Sequence, residues 1–249
     1  MNGLMERLLL PGIGLLLAAL GARVVLRARG GTLSELAVGV WFLGIGVGLP
    51  ILHRASVPGA VSPQLAPLLV AGAQALVAVA FCGLYLFAWR TFGPDCGWRR
   101  SLALAGVGAC LATWLGIGWF EGFAPRGGGA TLTMAATRAA GVVWAFVETS
   151  AYALRMRRRT RIGLADPVVA NRFALWAVWM GMLLLGMGLT MAVRWMQIEH
   201  TAGRPVMAPG AIVALTRVGF AGFGLVAATA MWLSFFPPLR YQSWLRARA

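Results

Sequence analysis

The chain contains no lysine, and its 22 basic residues are all arginines. Its 249 residues also include only two histidines and seven acidic residues. A retinal protein needs a lysine for its Schiff base, and a haem-binding bundle needs histidines inside its helices. Membrane-embedded metal hydrolases need clusters of histidine and carboxylate. The sequence therefore excludes these classes and predicts neither a metal nor a cofactor.

Other catalytic signatures are missing too. The chain has no nucleotide-binding loop, no nucleophile elbow and no CxxC motif, so a non-catalytic role is favoured over an enzyme. Of its three cysteines, Cys82 and Cys110 lie in predicted helices and Cys96 lies in a loop predicted to face a reducing compartment. That distribution predicts no disulfide.

Long apolar runs dominate what is present. Hydrophobic residues make up 59% of the chain and charged residues only 12%. Apolar runs of about 20 residues, each long enough to cross about 30 Å of hydrocarbon, recur along the whole sequence. They predict an all-α integral membrane protein, a bundle of seven transmembrane helices forming one polytopic domain over residues 1–249. The predicted helices span residues 8–26, 33–52, 64–89, 101–120, 131–154, 167–195 and 209–236.

The arginines are distributed unevenly between the predicted loops. With the N-terminus outside, fourteen arginines face inward and only five face outward, as the positive-inside rule requires. The sequence thus predicts an external N-terminus and a cytoplasmic C-terminus, in a membrane of the bacterial inner (cytoplasmic) type. Because topology accounts for most of the net charge of +15, the predicted charged partner is the anionic inner leaflet of the bilayer and not nucleic acid.

The first apolar run is predicted to be a retained helix. Arg23, Arg27 and Arg29 follow it, whereas Glu6 and Arg7 nearly cancel before it. A cleaved secretory signal carries its positive charge on the opposite flank.

Glu148 is the one acidic residue placed deep in a predicted helix, about 10 Å from its predicted inner end. Steps of three and four residues put it on one face with five others, and such a stripe belongs in the bundle interior. The five are Thr133, Thr137, Gly141, Trp144 and Tyr152. The stripe is interpreted either as a proton or cation relay or ligand-contacting acid, or as a hydrogen-bonded glutamate that ties helices together.

Two arginines interrupt apolar segments, in "MAATRAAG" and "VALTRVGF". Arg138 and Arg217 are predicted at similar depth near the outer boundary, and Arg194 closes the sixth helix at that level. Three guanidinium groups around an outward cavity would bind carboxylate or phosphate. Alternatively, they snorkel to the headgroups or pair with Glu121 or with Glu199 and His200 in the outer loops. In either case each arginine should have an oxygen-rich neighbour: a lipid phosphate, an outer-loop glutamate or a bound anion.

A weaker line of polar and aromatic residues runs along the third predicted helix. Gln74, Cys82, Tyr85 and Trp89 have spacings compatible with one face. Core packing is favoured over a binding site for this line.

The densest cluster of charge is the run "RMRRRTRIGLADP". It is interpreted as a contact with anionic inner lipids, or as a docking surface for an acidic partner. Its arginines are Arg155, Arg157, Arg158, Arg159 and Arg161.

Three functional hypotheses follow. The leading one is a non-catalytic heptahelical sensor or receptor-like protein that binds a ligand in an outward-facing polar pocket. It would bind an anionic small ligand or lipid headgroup and signal to a cytoplasmic or membrane protein partner. The alternatives are a small transporter or proton-coupled carrier using Glu148, and a structural subunit of a larger membrane complex. The predicted ligand-contacting residues are Arg138, Arg194, Arg217, Thr137, Trp144, Glu148 and Tyr152.

Overall fold

The computed structural model describes the backbone of residues 2–28, 32–56, 59–123, 129–201 and 209–247. It describes their side chains except for residues 2–10, 56, 194, 195, 197–201, 209–218, 220, 221 and 228. Helices and short turns account for all of these described residues, and no strand occurs among them. The predicted all-helical architecture is therefore confirmed.

Eight helices make up the described parts of the chain. In chain order they are α1 (Asn2–Arg27), α2 (Leu33–Ser56), α3 (Ala66–Phe92), α4 (Gly97–Glu121), α5 (Gly129–Arg161), α6 (Pro167–Thr201), α7 (Pro209–Phe235) and α8 (Leu239–Ala247).

Within the described residues, five helical segments are long and apolar enough to cross a membrane. They are Leu33–Ala55, Ala66–Phe92, Gly97–Glu121, Gly129–Arg161 and Pro167–Val193. A sixth span results if Gly222–Phe235 and Leu239–Ala247, which are bent by 83° relative to each other, are counted together. These segments indicate an integral membrane protein. The count of seven spans and the orientation of the termini stay predictions.

Helix α5 is longer than its apolar stretch. Its predicted end was residue 154, but the helix continues to Arg161. Its 33 residues measure about 50 Å, well beyond the roughly 30 Å of hydrocarbon. Likewise, α4 begins at Gly97 and not at residue 101. The end of an apolar run therefore does not locate the end of its helix, because arginine is itself a good helix former.

The chain divides into two compact units, Met1–Gly141 and Val142–Ala249. In the first unit, α1 packs on α2, α2 on α3, and α3 on α4. Small residues bring these helices together: a Cβ added at Gly44 of α2 would lie 2.6 Å from the carbonyl oxygen of Leu76 on α3. Close backbone approach of this kind is typical of helices packed within a membrane.

In the second unit, α6 packs on α7 and contacts α8. Asp166 caps the start of α6, because its Oδ1 accepts a hydrogen bond of 2.8 Å from the Val168 backbone N–H. The Trp176 indole donates to Ser234 Oγ at 2.6 Å, joining α6 to α7. Asn171 Nδ2 donates to the Tyr241 hydroxyl at 2.9 Å, joining α6 to α8.

Candidate functional site

The guanidinium of Arg138 lies against α3. Its Nη2 donates a hydrogen bond of 2.6 Å to Oε1 of Gln74. The same nitrogen contacts Sδ of Met134, one turn earlier on α5. The guanidinium carbon lies 5.7 Å from the centroid of the Phe81 ring. Gln74 is 7% exposed and Met134 is 2% exposed, so the charge is held among buried neighbours.

Helical periodicity explains why these groups meet. Gln74 and Phe81 are seven residues apart, and Met134 and Arg138 are four apart, so each pair lies on one face of its helix. Gln74 is eight residues after the start of α3, about 12 Å along its axis, and Arg138 is nine residues after the start of α5, about 14 Å. The two polar side chains thus lie at similar distances from the ends of their helices.

The contacts of Arg138 leave its charge uncompensated. In the parts of the chain that the structure describes, no carboxylate contacts this guanidinium; its neighbours are an amide, a thioether and an aromatic ring. Its buried Nε has no hydrogen-bond partner there. A guanidinium stays protonated in proteins, and a buried charge is costly unless it is paired.

Tyr85 fixes the backbone of α5 next to this guanidinium. Its hydroxyl donates a hydrogen bond of 2.8 Å to the carbonyl oxygen of Thr137. The ring lies between two glycines: a Cβ at Gly106 of α4 would overlap it, and one at Gly141 of α5 would lie 2.9 Å from Tyr85 Cε2. The aromatic ring therefore sets the spacing of α3, α4 and α5 beside Arg138.

Two thiols belong to the same region. Cys82 of α3 and Cys110 of α4 are free, and Cys82 Sγ donates to the carbonyl oxygen of Val107 at 3.8 Å. A thiol in its ordinary state is a weak and uncharged polar group. These side chains therefore add polarity near Arg138 without adding an acidic side chain.

The sequence pointed to Arg138 but missed Gln74 as its partner. The expected oxygen-rich neighbour was a lipid phosphate, an outer-loop glutamate or a bound anion, and the observed one is an amide oxygen on α3. Core packing was favoured for the line containing Gln74. That interpretation is incomplete, since Gln74 and Tyr85 both bond to α5. Pairing of Arg138 with another side chain was among the predicted alternatives, but Gln74 was not among the predicted partners.

The outer-loop glutamate Glu121 has a different contact from the one predicted. Its carboxylate accepts hydrogen bonds from the backbone N–H groups of Ala130 (2.8 Å) and Thr131 (3.1 Å), and from the Thr131 hydroxyl (2.6 Å). Glu121 therefore caps the first turn of α5, where a negative charge also interacts favourably with the helix dipole.

The other two predicted arginines are not brought into this site. Arg194 lies in α6 and Arg217 in α7, and both side chains fall outside the described residues. The arrangement of three arginines around one outward cavity therefore stays a prediction.

Glu148 lies in the second unit and is 6% exposed, as its position on the predicted interior stripe requires. Its Oε1 accepts a hydrogen bond of 3.4 Å from the indole N–H of Trp144, which is also buried. Because α5 extends to Arg161, Glu148 is about 20 Å from the end of the helix, and the predicted 10 Å was too short. The ring of Tyr152, one turn further on, packs on Phe173 of α6 with centroids 4.4 Å apart.

The predicted stripe is not buried along its whole length. Gly141, Trp144 and Glu148 are buried and Thr137 and Tyr152 half-buried, whereas Thr133 is exposed. The predicted interior position is confirmed for the middle of the stripe and is wrong for Thr133.

The basic cluster occupies the last two turns of α5 and not a loop. All five of its arginines, Arg155, Arg157, Arg158, Arg159 and Arg161, are exposed. Ile162 and Leu164 follow directly and are also exposed. Basic side chains followed by exposed apolar ones at a helix end are typical of a surface at the headgroup level of a bilayer.

A groove of about 440 Å³ between α2 and α3 is apolar. Gly72, Leu76 and Val79 of α3 are among its lining residues. Leu76 is two residues after Gln74, a rotation of about 200° around the helix axis, so the groove lies on the opposite face of α3 from Gln74. The groove therefore does not provide the polar pocket that the sequence predicted.

No protein-family model, no curated protein and no solved structure matches this chain.

Proposed function

We propose that this chain is a non-catalytic integral membrane protein that binds an anionic ligand at Arg138. The observation that supports the proposal is the half-buried guanidinium of Arg138, whose partners are all neutral and whose buried Nε has no hydrogen-bond partner among the described residues. An anion bound there would neutralise the charge of Arg138 and accept a hydrogen bond from its Nε–H. Hydrogen bonds to charged groups contribute about 1.5–3 kcal/mol each, so two of them would suffice for selective binding.

A sensor role follows from where the site lies. Arg138 and its partner Gln74 join α5 to α3, so an anion bound between them would change the contact of the two helices. We propose that such a change is passed along α5 to its exposed basic end, where a cytoplasmic or membrane protein partner would respond. A structural subunit, the competing proposal, would have no need for an uncompensated charge.

Anion-dependent stability tests the binding proposal. We expect the unfolding midpoint of the protein, held in nanodiscs of phosphatidylcholine, to rise as a bound anion is added at constant ionic strength. At a concentration 100 times the dissociation constant, binding contributes about 2.7 kcal/mol to the free energy of unfolding. Sodium acetate, sodium phosphate and sodium octanoate, each compared with sodium chloride, are suitable probes. An unchanged midpoint with all of them would refute the proposal.

We also propose that the N-terminus is outside and the C-terminus cytoplasmic, in a membrane of the bacterial inner type. The excess of arginine at one set of helix ends and connections supports this orientation. We expect a reporter fused after Ala249 to be cytoplasmic and one inserted within residues 125–130 to be external. Alkaline phosphatase, active only outside, and a fluorescent protein, active inside, distinguish the two. An external C-terminus would reverse the orientation.

A proton-coupled carrier is the second candidate, and the buried carboxyl of Glu148 favours it. On the leading proposal, Glu148→Gln should leave anion affinity unchanged within about twofold, since glutamine still offers Oε1 to the Trp144 indole and so keeps its hydrogen bond. Anion affinity and uptake by proteoliposomes under a pH gradient are measured for both proteins. The exposed Asp95→Asn is the matched control. Uptake that requires the pH gradient and is lost in Glu148→Gln, but not in Asp95→Asn, would establish the carrier instead.

A further inference from the structure

We infer that the ligand of the Arg138 site is a monovalent carboxylate on an apolar body, such as a single-chain fatty acid. This inference rests on the proposed anion-binding function and names its ligand class. Four features of the first unit support it: the charge of the site, the geometry of its donors, its apolar neighbours and its depth.

The charge of the site matches one negative charge. Within the described residues, Arg138 is the one cationic side chain of the cluster formed with Gln74, Met134 and Phe81. A carboxylate would neutralise it. A phosphate dianion would bring a second negative charge into surroundings that offer no second cation, and an unpaired charge in a low-dielectric interior is strongly disfavoured.

The donors of the guanidinium fit the two oxygens of a carboxylate. Nε has no hydrogen-bond partner among the described residues, and Nη2 donates one N–H to Gln74 and the other to Met134 Sδ. A thioether is a weak acceptor, which a carboxylate oxygen would displace. Nε and Nη2 form one edge of the planar guanidinium. Parallel N–H groups on such an edge bind both oxygens of a carboxylate.

The lining of the site favours an apolar body behind the charged group. Phe81 of α3 and Met134 of α5, the two apolar side chains that contact the guanidinium, are both buried. A small hydrated anion would give up its water here and find few polar groups in exchange. Each methylene of an attached chain would instead gain by leaving water.

The depth of the site argues against the phosphate of a two-chain lipid. Helix α3 measures about 40 Å, so a placement centred in the hydrocarbon leaves about 5 Å of helix beyond it at each end. Gln74, about 12 Å from the start of α3, is then about 7 Å inside the hydrocarbon. A phospholipid would have to withdraw its headgroup from the interface to reach that level, whereas a single chain with a small carboxylate is not tied to a headgroup.

Three ligands with the same twelve-carbon chain test the ligand class. Laurate, dodecyl phosphate and dodecanol are titrated into the protein in phosphatidylcholine nanodiscs, with inorganic phosphate as a chain-free anion. We expect laurate to bind at least about tenfold more tightly than each of the other three, the factor that one charge-assisted hydrogen bond supplies. Octanoate should bind more weakly than laurate because its chain buries fewer methylenes. This ranking uses the unaltered protein, so it does not depend on the folding of any variant.

Arg138→Lys then tests the bidentate contact between the guanidinium and the carboxylate. Lysine keeps the charge but lacks the planar edge, so we expect laurate affinity to fall about tenfold or more. The outcomes separate the two proposals. Tighter binding of dodecyl phosphate or inorganic phosphate would overturn the ligand class and leave the anion site standing. No anion binding above the level of dodecanol would overturn both. Laurate binding that Arg138→Lys leaves unchanged would place the fatty acid elsewhere and overturn the inference.

Discussion

A protein that carries Gln74→Leu together with Arg138→Leu is expected to bind no anion and yet to unfold at a higher temperature than the unaltered protein in the absence of ligand. The reason is the uncompensated charge beside Gln74. Replacing buried charged groups by apolar ones of similar volume is often neutral or stabilising by about 1–4 kcal/mol. Thermal unfolding in nanodiscs without added anion, followed by titration with laurate, measures both effects.

The single variants and a surface control sharpen this expectation. Arg138→Leu alone leaves the buried amide of Gln74 without its partner, which costs about 1–3 kcal/mol, so the single change should be less stable than the double change. The coupling energy of the pair is the effect of the double change minus the separate effects of Arg138→Leu and Gln74→Leu, and a double-mutant cycle measures it. Arg100→Leu, at an exposed position of α4, should change neither property. If the double variant unfolds at a lower temperature than the unaltered protein, Gln74 and Arg138 together stabilise the fold, and the expectation is wrong.

Much of the architecture was available from composition and hydropathy. Apolar runs of about 20 residues located the helices because hydrocarbon leaves no other way to satisfy the backbone. The interior position of Glu148 followed from helical periodicity, which puts it on one face with other polar residues, and from the cost of a carboxyl that faces lipid. Helix ends were less predictable. The arginines after residue 154 end the apolar run of α5, but the helix continues through them to Arg161.

The partner of Arg138 is a longer-range problem. Gln74 and Arg138 are 64 residues apart, and no local periodicity relates two different helices. One usable signal was in the sequence: each is a polar residue in an apolar helix, at nearly the same distance from its start. Matching polar residues by depth across helices would have suggested the pair. What it could not supply is the packing of α3 on α5, which depends on Tyr85 and the glycines around it.

That packing leads to the second prediction. Gly106→Ala is expected to destabilise the protein by about 1–3 kcal/mol, the usual cost of overfilling a packed interior. The added methyl group would overlap the ring of Tyr85, and Gly141 on the other side leaves that ring nowhere to move, since even a Cβ there would be 2.9 Å away. If the ring is displaced, its hydrogen bond to the Thr137 carbonyl is lost, and with it the position of the neighbouring Arg138. Anion affinity should therefore fall together with the unfolding midpoint.

Gly108→Ala on the same helix is the matched control, because a Cβ at that exposed position meets nothing within 4 Å. It should be neutral, or stabilising by up to about 1 kcal/mol from helix propensity. Adding Tyr85→Leu to Gly106→Ala should recover part of the lost stability, since a smaller side chain leaves room for the methyl group. It should not recover anion affinity, because leucine cannot bond to Thr137. Equal stability of Gly106→Ala and Gly108→Ala would show that α4 moves freely away from Tyr85, and that the ring does not fix the spacing of the three helices around Arg138.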